Sequence, residues 1–252
     1  MVDASRRAWA LVSFAVMPVT RLLRGPRTAP QAGRAIVCAA LALEAELIER
    51  QFERQTWGAG ATGLSEFIGR AAYEGCRGIV SYGVAGGLCP NLRSGDIVVG
   101  SEIAGPDGVL PTDDTWSAWL LSAIPTSVYG PIAGIDIPVS ANASRSALRL
   151  QSGALAADME SHVIARLAAA NALRFVALRV VIDAAGRNVP PTALACISGD
   201  GETSRWRLSR LLLGRPSDTL DVFKLWADWW LARRALVYCS DVLGASVGAI
   251  GL

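Results

Sequence analysis

Gly78-Ile79-Val80-Ser81-Tyr82-Gly83-Val84-Ala85-Gly86-Gly87 decides the fold class of this 252-residue chain. Its first half is a short apolar run with β-branched and aromatic residues, which reads as a strand. Its second half is a run of small residues that lets backbone approach a ligand closely. Together they predict a strand that delivers a glycine-rich loop at its carboxyl end. Upstream, Ala35-Ile36-Val37-Cys38-Ala39-Ala40 is continuously apolar, as expected of a strand buried on both faces. Helix formers follow over residues 43–52, with Glu44 and Glu46 in the first turn. Trp57-Gly58-Ala59-Gly60 predicts a turn, and residues 65–74 predict a second helix ending at Gly75. Downstream, Ile97-Val98-Val99 and Phe175-Val176-Ala177-Leu178-Arg179-Val180-Val181-Ile182 read as strands, the latter closed by Asp183. Residues 160–170, 203–213 and 219–236 read as helices, and residues 100–153 as strands with irregular connections. Alternating helices and doubly apolar strands imply an α/β fold: a single three-layer domain with a mostly parallel or mixed central sheet flanked by helices. Ligands bind such sheets beyond the carboxyl ends of the strands. Glu44, Glu46, residues 83–87 and Asp183 all fall there.

The composition narrows function by exclusion. With 52% hydrophobic residues the chain can bury one sizeable core. Lysine plus arginine number 24 against 22 acidic residues, a formal charge of +2 that makes no electrostatic case for nucleic acid. Cysteines stand at 38, 76, 89, 196 and 239 with no C-x-x-C pair, so they read as small apolar residues in a reducing, cytoplasmic setting. The one histidine, His162, excludes a metal site needing two, and no metal or redox cofactor is expected. At the N-terminus, Arg6-Arg7 precede an apolar run over residues 8–20. That run is shorter than the roughly 20 residues that span a bilayer. Arg21, Arg24 and Arg27 follow it in place of a small-residue cleavage site. Residues 1–33 are therefore expected to be a leader, a segment lying on a membrane surface, or an export signal, ending in a Pro/Gly linker. Residues 34–252 are expected to form the catalytic domain.

Three positions suit the breaking of a bond between a sugar and a nitrogenous base. Such cleavage builds positive charge on the sugar and negative charge on the leaving base. A buried carboxyl at a strand end can protonate the base, and Asp183 is the candidate. A second carboxylate can accept hydrogen bonds from two vicinal hydroxyls, a role that suits Glu160 at a helix start. Glu46 or Glu44 could activate water. The segment Gly83, Val84, Ala85 and Gly86 lets backbone meet the ligand but does not by itself specify phosphate.

These pieces carry a resemblance. Residues 81–88 followed by Ser94-Gly95-Asp96-Ile97-Val98-Val99 resemble the glycine segment and next strand of the purine nucleoside phosphorylase / methylthioadenosine nucleosidase superfamily. Asp158-Met159-Glu160-Ser161 resembles its ribose-binding Met-Glu motif, Leu178-Arg179-Val180-Val181-Ile182-Asp183 its strand ending in a purine-contacting aspartate, and Ala42-Leu43-Glu44-Ala45-Glu46 its first acidic segment. The resemblance implies a nucleoside phosphorylase-like fold, with Met159 and Glu160 on the ribose, Asp183 on the purine and Glu46 as water activator, Glu44 being the alternative. His162 after the Met-Glu pair, Asn188-Val189-Pro190-Pro191-Thr192-Ala193-Leu194 and Leu211-Leu212-Leu213-Gly214-Arg215-Pro216 look like the hopanoid-associated phosphorylases. For that branch the resemblance implies removal of adenine from adenosylhopane, a lipid substrate, in hopanoid biosynthesis. The alternatives are a methylthioadenosine/adenosylhomocysteine nucleosidase and a catalytically inactive ligand-binding member of the fold.

The nucleophile stays open at this level. Phosphorylases of the superfamily often carry serine where this chain has Val84, while Arg50, Arg54 and Arg93 could serve phosphate as a co-substrate. Trp226, Trp229 and Trp230 share a side of the last helix. They imply core or subunit packing, or an apolar surface for peripheral membrane contact with a lipid substrate. That surface would also account for the mean hydropathy of +0.35. A homo-oligomer is expected from the resemblance.

Overall fold

The computed structural model describes residues 34–40, 42–48, 53–56, 63–186 and 219–250. The leader at residues 1–33, the motifs at residues 188–194 and 211–216, the expected helix at 203–213, Arg50, Cys196 and the side chains of Arg54, Phe223 and Trp226 lie outside what it describes. Strands take the doubly apolar runs and helices fill the connections. The order is β1 (Arg34–Ala39), α1 (Ala42–Glu46), β2 (Glu53–Thr56), α2 (Leu64–Tyr73), β3 (Cys76–Gly87), β4 (Ile97–Gly105) and β5 (Gly108–Pro111). Then come α3 (Asp114–Ala123), β6 (Val128–Gly134), α4 (Asn142–Ser152), β7 (Ala156–Asp158), α5 (Ser161–Ala170), β8 (Arg174–Asp183) and α6 (Thr219–Ile250).

The eight strands form one mixed sheet in the order β2-β1-β3-β7-β6-β4-β5, with β8 pairing both β3 and β4. Pairing therefore runs in a circuit from β3 through β7, β6, β4 and β8 back to β3. β1 pairs β2 and β3 in parallel and β8 pairs β3 in parallel, whereas β7 meets β3, and β8 meets β4, antiparallel. Such a closed path leaves few open edges. It also forces β3 and β8 to be buried on both faces, as their apolar runs required.

Helices cover both faces. On one, Leu64, Ile68 and Ala71 of α2 and Ile164, Ala165 and Ala168 of α5 pack on Ile36, Ile79 and Val181. On the other, Ala45 and Ile48, Trp116 and Leu120 of α3, and Ala232, Leu236, Cys239 and Leu243 of α6 pack on Val37, Val80 and Leu178. Each fully buried aliphatic side chain contributes roughly 1.5–3 kcal/mol. The three-layer α/β expectation is thus met.

Several elements depart from the sequence reading. The helix expected over residues 43–52 ends at Glu46, and β2 follows within a few residues to pair with β1. The glycine segment is not a loop. Gly83, Val84, Ala85 and Gly86 continue β3 because the parallel β8 supplies backbone partners as far as Asp183. Within residues 100–153 two helices, α3 and α4, replace the irregular connections. The last helix runs to Ile250 rather than 236.

Candidate active site

β3 is the wall on which the candidate residues meet, and three of its small residues each face a charged group from another element. The Ser81 hydroxyl accepts from Arg179 Nη2 at 2.6 Å. At Gly83 a Cβ atom would lie 2.7 and 2.8 Å from the two carboxylate oxygens of Glu44. Only glycine leaves that room, and the next amide, Val84 N, donates to Glu44 Oε1 at 2.8 Å. Glu44 stands in the short α1 directly after β1 and is 2% exposed. At Gly86 a Cβ would lie 3.5 Å from Asp183 Oδ1 and 3.7 Å from Arg145 Nη2. The register between β3 and β8 slips at this point, so that Asp183 rather than Ile182 lies opposite Gly86.

Asp183, at the end of β8, forms an ion pair with Arg145 of α4, and both side chains are buried. Arg145 Nε donates to Val139 O at 3.0 Å, and Nη1 to Ala184 O at 3.4 Å and Gly87 O at 3.5 Å. One guanidinium thus ties the ends of β3 and β8 to the segment before α4. A cation this deep is costly unless paired and hydrogen-bonded, and Arg145 is both.

Glu160 immediately precedes α5, and its carboxylate turns back to accept from Met159 N at 3.3 Å. Asp158 does the capping. Its Oδ1 accepts from Glu160 N at 3.1 Å and Ser161 N at 2.8 Å, satisfying amides that α5 leaves open. Its Oδ2 accepts from the Ser161 hydroxyl and from Arg179 Nε, the latter at 2.6 Å. Burial first, and the neighbouring Asp158 second, push the Glu160 carboxyl up to about 8, with Arg179 opposing and Glu44 adding to the rise. Burial works against the charge of Arg179, but Asp158, Glu160 and Glu44 more than offset it and hold the guanidinium above its ordinary range. Glu44, Asp158, Glu160 and Arg179 therefore form one buried electrostatic cluster, with the Asp183–Arg145 pair further along the same strand.

The structure does not bring every expected residue here. Glu46 is exposed at the end of α1, so of the two α1 acids only Glu44 meets β3. A helical step of two residues turns Glu46 away from the face that Glu44 presents. The Ala85 side chain packs in the core with Val98 and Ile164 rather than facing the carboxylates. Arg93 is exposed. His162 is buried with Nε2 3.1 Å from Asp136 Oδ1, and its ring packs over Gly134. Arg145, Arg179, Ser81 and Ser161 were not singled out from sequence. The signal for Arg179 was present, since an arginine inside an otherwise apolar strand must find a buried partner. Arg145 offered none, lying 38 positions before Asp183 in a helix whose only large apolar residues are Leu148 and Leu150 (183 − 145). Among the described residues, no group of three or more His, Cys, Asp or Glu side chains is placed to hold a metal ion.

The sequence profile of the Phosphorylase superfamily matches residues 19–196. A search of curated proteins returns no match. Among solved structures, the 5′-methylthioadenosine/S-adenosylhomocysteine nucleosidase of Campylobacter jejuni is similar, with a TM-score of 0.56 at 14% identity over 84% of this chain and 99% of that one. A mutant of the Helicobacter pylori nucleosidase, solved with 5′-methylthioadenosine in its active site, has a TM-score of 0.59 at 13% identity over 86% and 99%. A mutant futalosine hydrolase from Helicobacter pylori has a TM-score of 0.52 at 15% identity over 60% and 89%. These likenesses are of fold, whereas the profile covers well over half of the sequence. The chain belongs to the Phosphorylase superfamily, and is an enzyme of nucleoside glycosidic bonds, cleaving them by hydrolysis or phosphorolysis.

Proposed function

We propose that the protein hydrolyses the N-glycosidic bond of an adenosyl compound and releases adenine. The observation that carries this reading is the convergence on β3 of buried Glu44 and the buried Asp183–Arg145 pair, with Glu160 sharing the charge cluster of Glu44. In the proposed mechanism Glu160 accepts hydrogen bonds from the two ribose hydroxyls. Glu44 orients and polarises a water molecule toward the anomeric carbon. Glu44 takes the proton that the attacking water loses, and Asp183, held beside Arg145, meets the purine edge and passes to the leaving base a proton drawn from solvent. Phosphate needs convergent cations. Both buried arginines here are committed to carboxylates, which favours water.

The finer reading, from the resemblance to the hopanoid-associated branch, is that the adenosyl group sits on a triterpenoid lipid. The surface of α6 supports it. Trp230, Arg234 and Tyr238 fall four residues apart along one stripe, with Trp230 50% and Tyr238 42% exposed, and Arg234 lies 4.9 Å over the Trp230 ring. Aromatic rings and arginines of this kind favour the membrane–water boundary. The names of the structural neighbours favour a second reading, a nucleosidase for 5′-methylthioadenosine or S-adenosylhomocysteine.

The test is adenine release from these three compounds, by wild-type protein and by Asp183→Asn. The reading expects release from at least one, fastest from the lipid conjugate, and loss of release in Asp183→Asn with unchanged circular dichroism. A wild-type rate in that variant would remove Asp183 from the mechanism.

A further inference from the structure

Arg179 and Asp158 make a buried charge pair to which the proposed chemistry gives no task. Replacing such pairs by well-packed apolar side chains is often neutral or stabilising, so stability alone is a weak account of this one. Its geometry points elsewhere. Arg179, 2% exposed in the middle of β8, directs Nε to Asp158, Nη2 to the hydroxyls of Ser81 and Ser161 at 2.6 and 2.9 Å, and Nη1 to Leu178 O at 3.2 Å. A planar guanidinium held by that many directed bonds has little freedom to turn. Asp158, fixed by it, receives the amides of Glu160 and Ser161. One relay therefore runs from β8 through β7 to the backbone that carries Glu160.

We propose that Arg179 and Asp158 are positioning residues for Glu160. Asp158 holds the backbone from which the Glu160 carboxylate is aimed, and Arg179 supplies the positive charge that lets the carboxylate form beside two other acids. The inference rests on the reading of Glu160 as the ribose ligand. The charged groups acting on Glu160 are Asp158 from β7, Arg179 from β8 and Glu44 from α1. Burial, with Asp158 next, moves the Glu160 carboxyl up to about 8. The ionised form, which can accept from both ribose hydroxyls, takes over as pH rises through that value. Release should therefore climb on a limb centred near 8. Removing a positive neighbour disfavours the carboxylate and moves the limb to higher pH; removing a negative one moves it lower.

Two readouts on the full chain test this: a carbon NMR titration of the Glu160 carboxyl, assigned with Glu160→Gln, and the pH dependence of kcat/KM for adenine release. In Arg179→Gln the midpoint is expected to rise by about one pH unit or more, and in Asp158→Asn to fall by a similar amount. Arg179→Lys is expected to keep the midpoint near that of the wild type while raising KM, since an ammonium cannot reproduce the fork of bonds. Midpoints that stay put, or that move in the same direction in both variants, would overturn the proposal. If Arg179→Gln does not fold, the downward move in Asp158→Asn decides alone. Glu160→Gln separates the two claims. Wild-type release in that variant defeats the ribose reading; lost release with unmoved midpoints defeats only the positioning role.

Discussion

Gly83 and Gly87 lie on the same strand, yet an alanine at each is expected to fail differently. At Gly83 the new methyl meets the far end of the Glu44 side chain, which can swing away. Gly83→Ala should therefore fold, with a loss of stability of about 1–2 kcal/mol to which the strained φ of 158° adds, and lose most of its adenine release because Glu44 no longer sits on Val84 N. At Gly87 the methyl meets backbone, the Asp183 carbonyl oxygen at 2.9 Å, and the Val181 side chain at 3.2 Å. Backbone in a paired strand cannot retreat cheaply, so Gly87→Ala should cost stability itself, about 1–3 kcal/mol. Urea denaturation beside an activity assay reads both. Equal stability loss with equal activity loss would contradict the placement of Glu44. At this scale the positions of Glu160 before a helix and Asp183 at a strand end were legible, because a short local pattern marks each. It was illegible where partners come from distant elements. Choosing between Glu44 and Glu46 needed the position of α1 over β3, which spacing alone does not supply.

On the second face, α6 bears on the site through α1. α6 is anchored by the Tyr82 hydroxyl, which donates to Leu236 O at 2.8 Å, and by the Ser240 hydroxyl, which donates to Leu47 O just after α1. It thus fixes the turn that follows Glu44. Leu236, fully buried in that core, is a direct probe. Leu236→Ala should destabilise by about 2–5 kcal/mol and also lower kcat at temperatures where the protein is still folded. Thermal unfolding with an activity curve below the transition checks both. A pure stability loss with unaltered kcat would show that α6 does not position α1. α3 was missed although its start is marked by Asp113, whose side chain accepts from Trp116 N at 2.9 Å. α4 was missed for a physical reason. Its cap, Ala141, offers no side-chain bond, its only large apolar residues are Leu148 and Leu150, and Leu150 is 88% exposed, so little apolar content marks the helix. The short α1 was over-extended because helix formers continue past Glu46, while β1 offers the backbone a better partner in β2.

At the scale of the whole molecule, the doubly apolar runs announced the α/β class, since strands buried on both faces need helices on both sides. The circuit of strands was not legible, because it depends on antiparallel contacts of β8 with β4 and of β7 with β3 that no local pattern encodes. Among the described residues no helix is long and apolar enough to cross a membrane. The exposed stripe on α6 leads instead to a peripheral mode. Full-length protein should co-sediment with anionic liposomes, and Trp230→Ser with Tyr238→Ser should reduce the bound fraction several-fold without changing adenine release from a water-soluble substrate. Full recovery of the wild type in the supernatant would remove the membrane from the account. The central claim, that this buried acidic cluster cleaves an adenosyl glycosidic bond with water, is tested most directly by one incubation of an adenosyl substrate in phosphate-free buffer made with heavy-oxygen water. The account predicts free adenine and a sugar carrying the heavy oxygen at its anomeric carbon; no adenine, or release only when phosphate is supplied with a phosphorylated sugar as product, would contradict it.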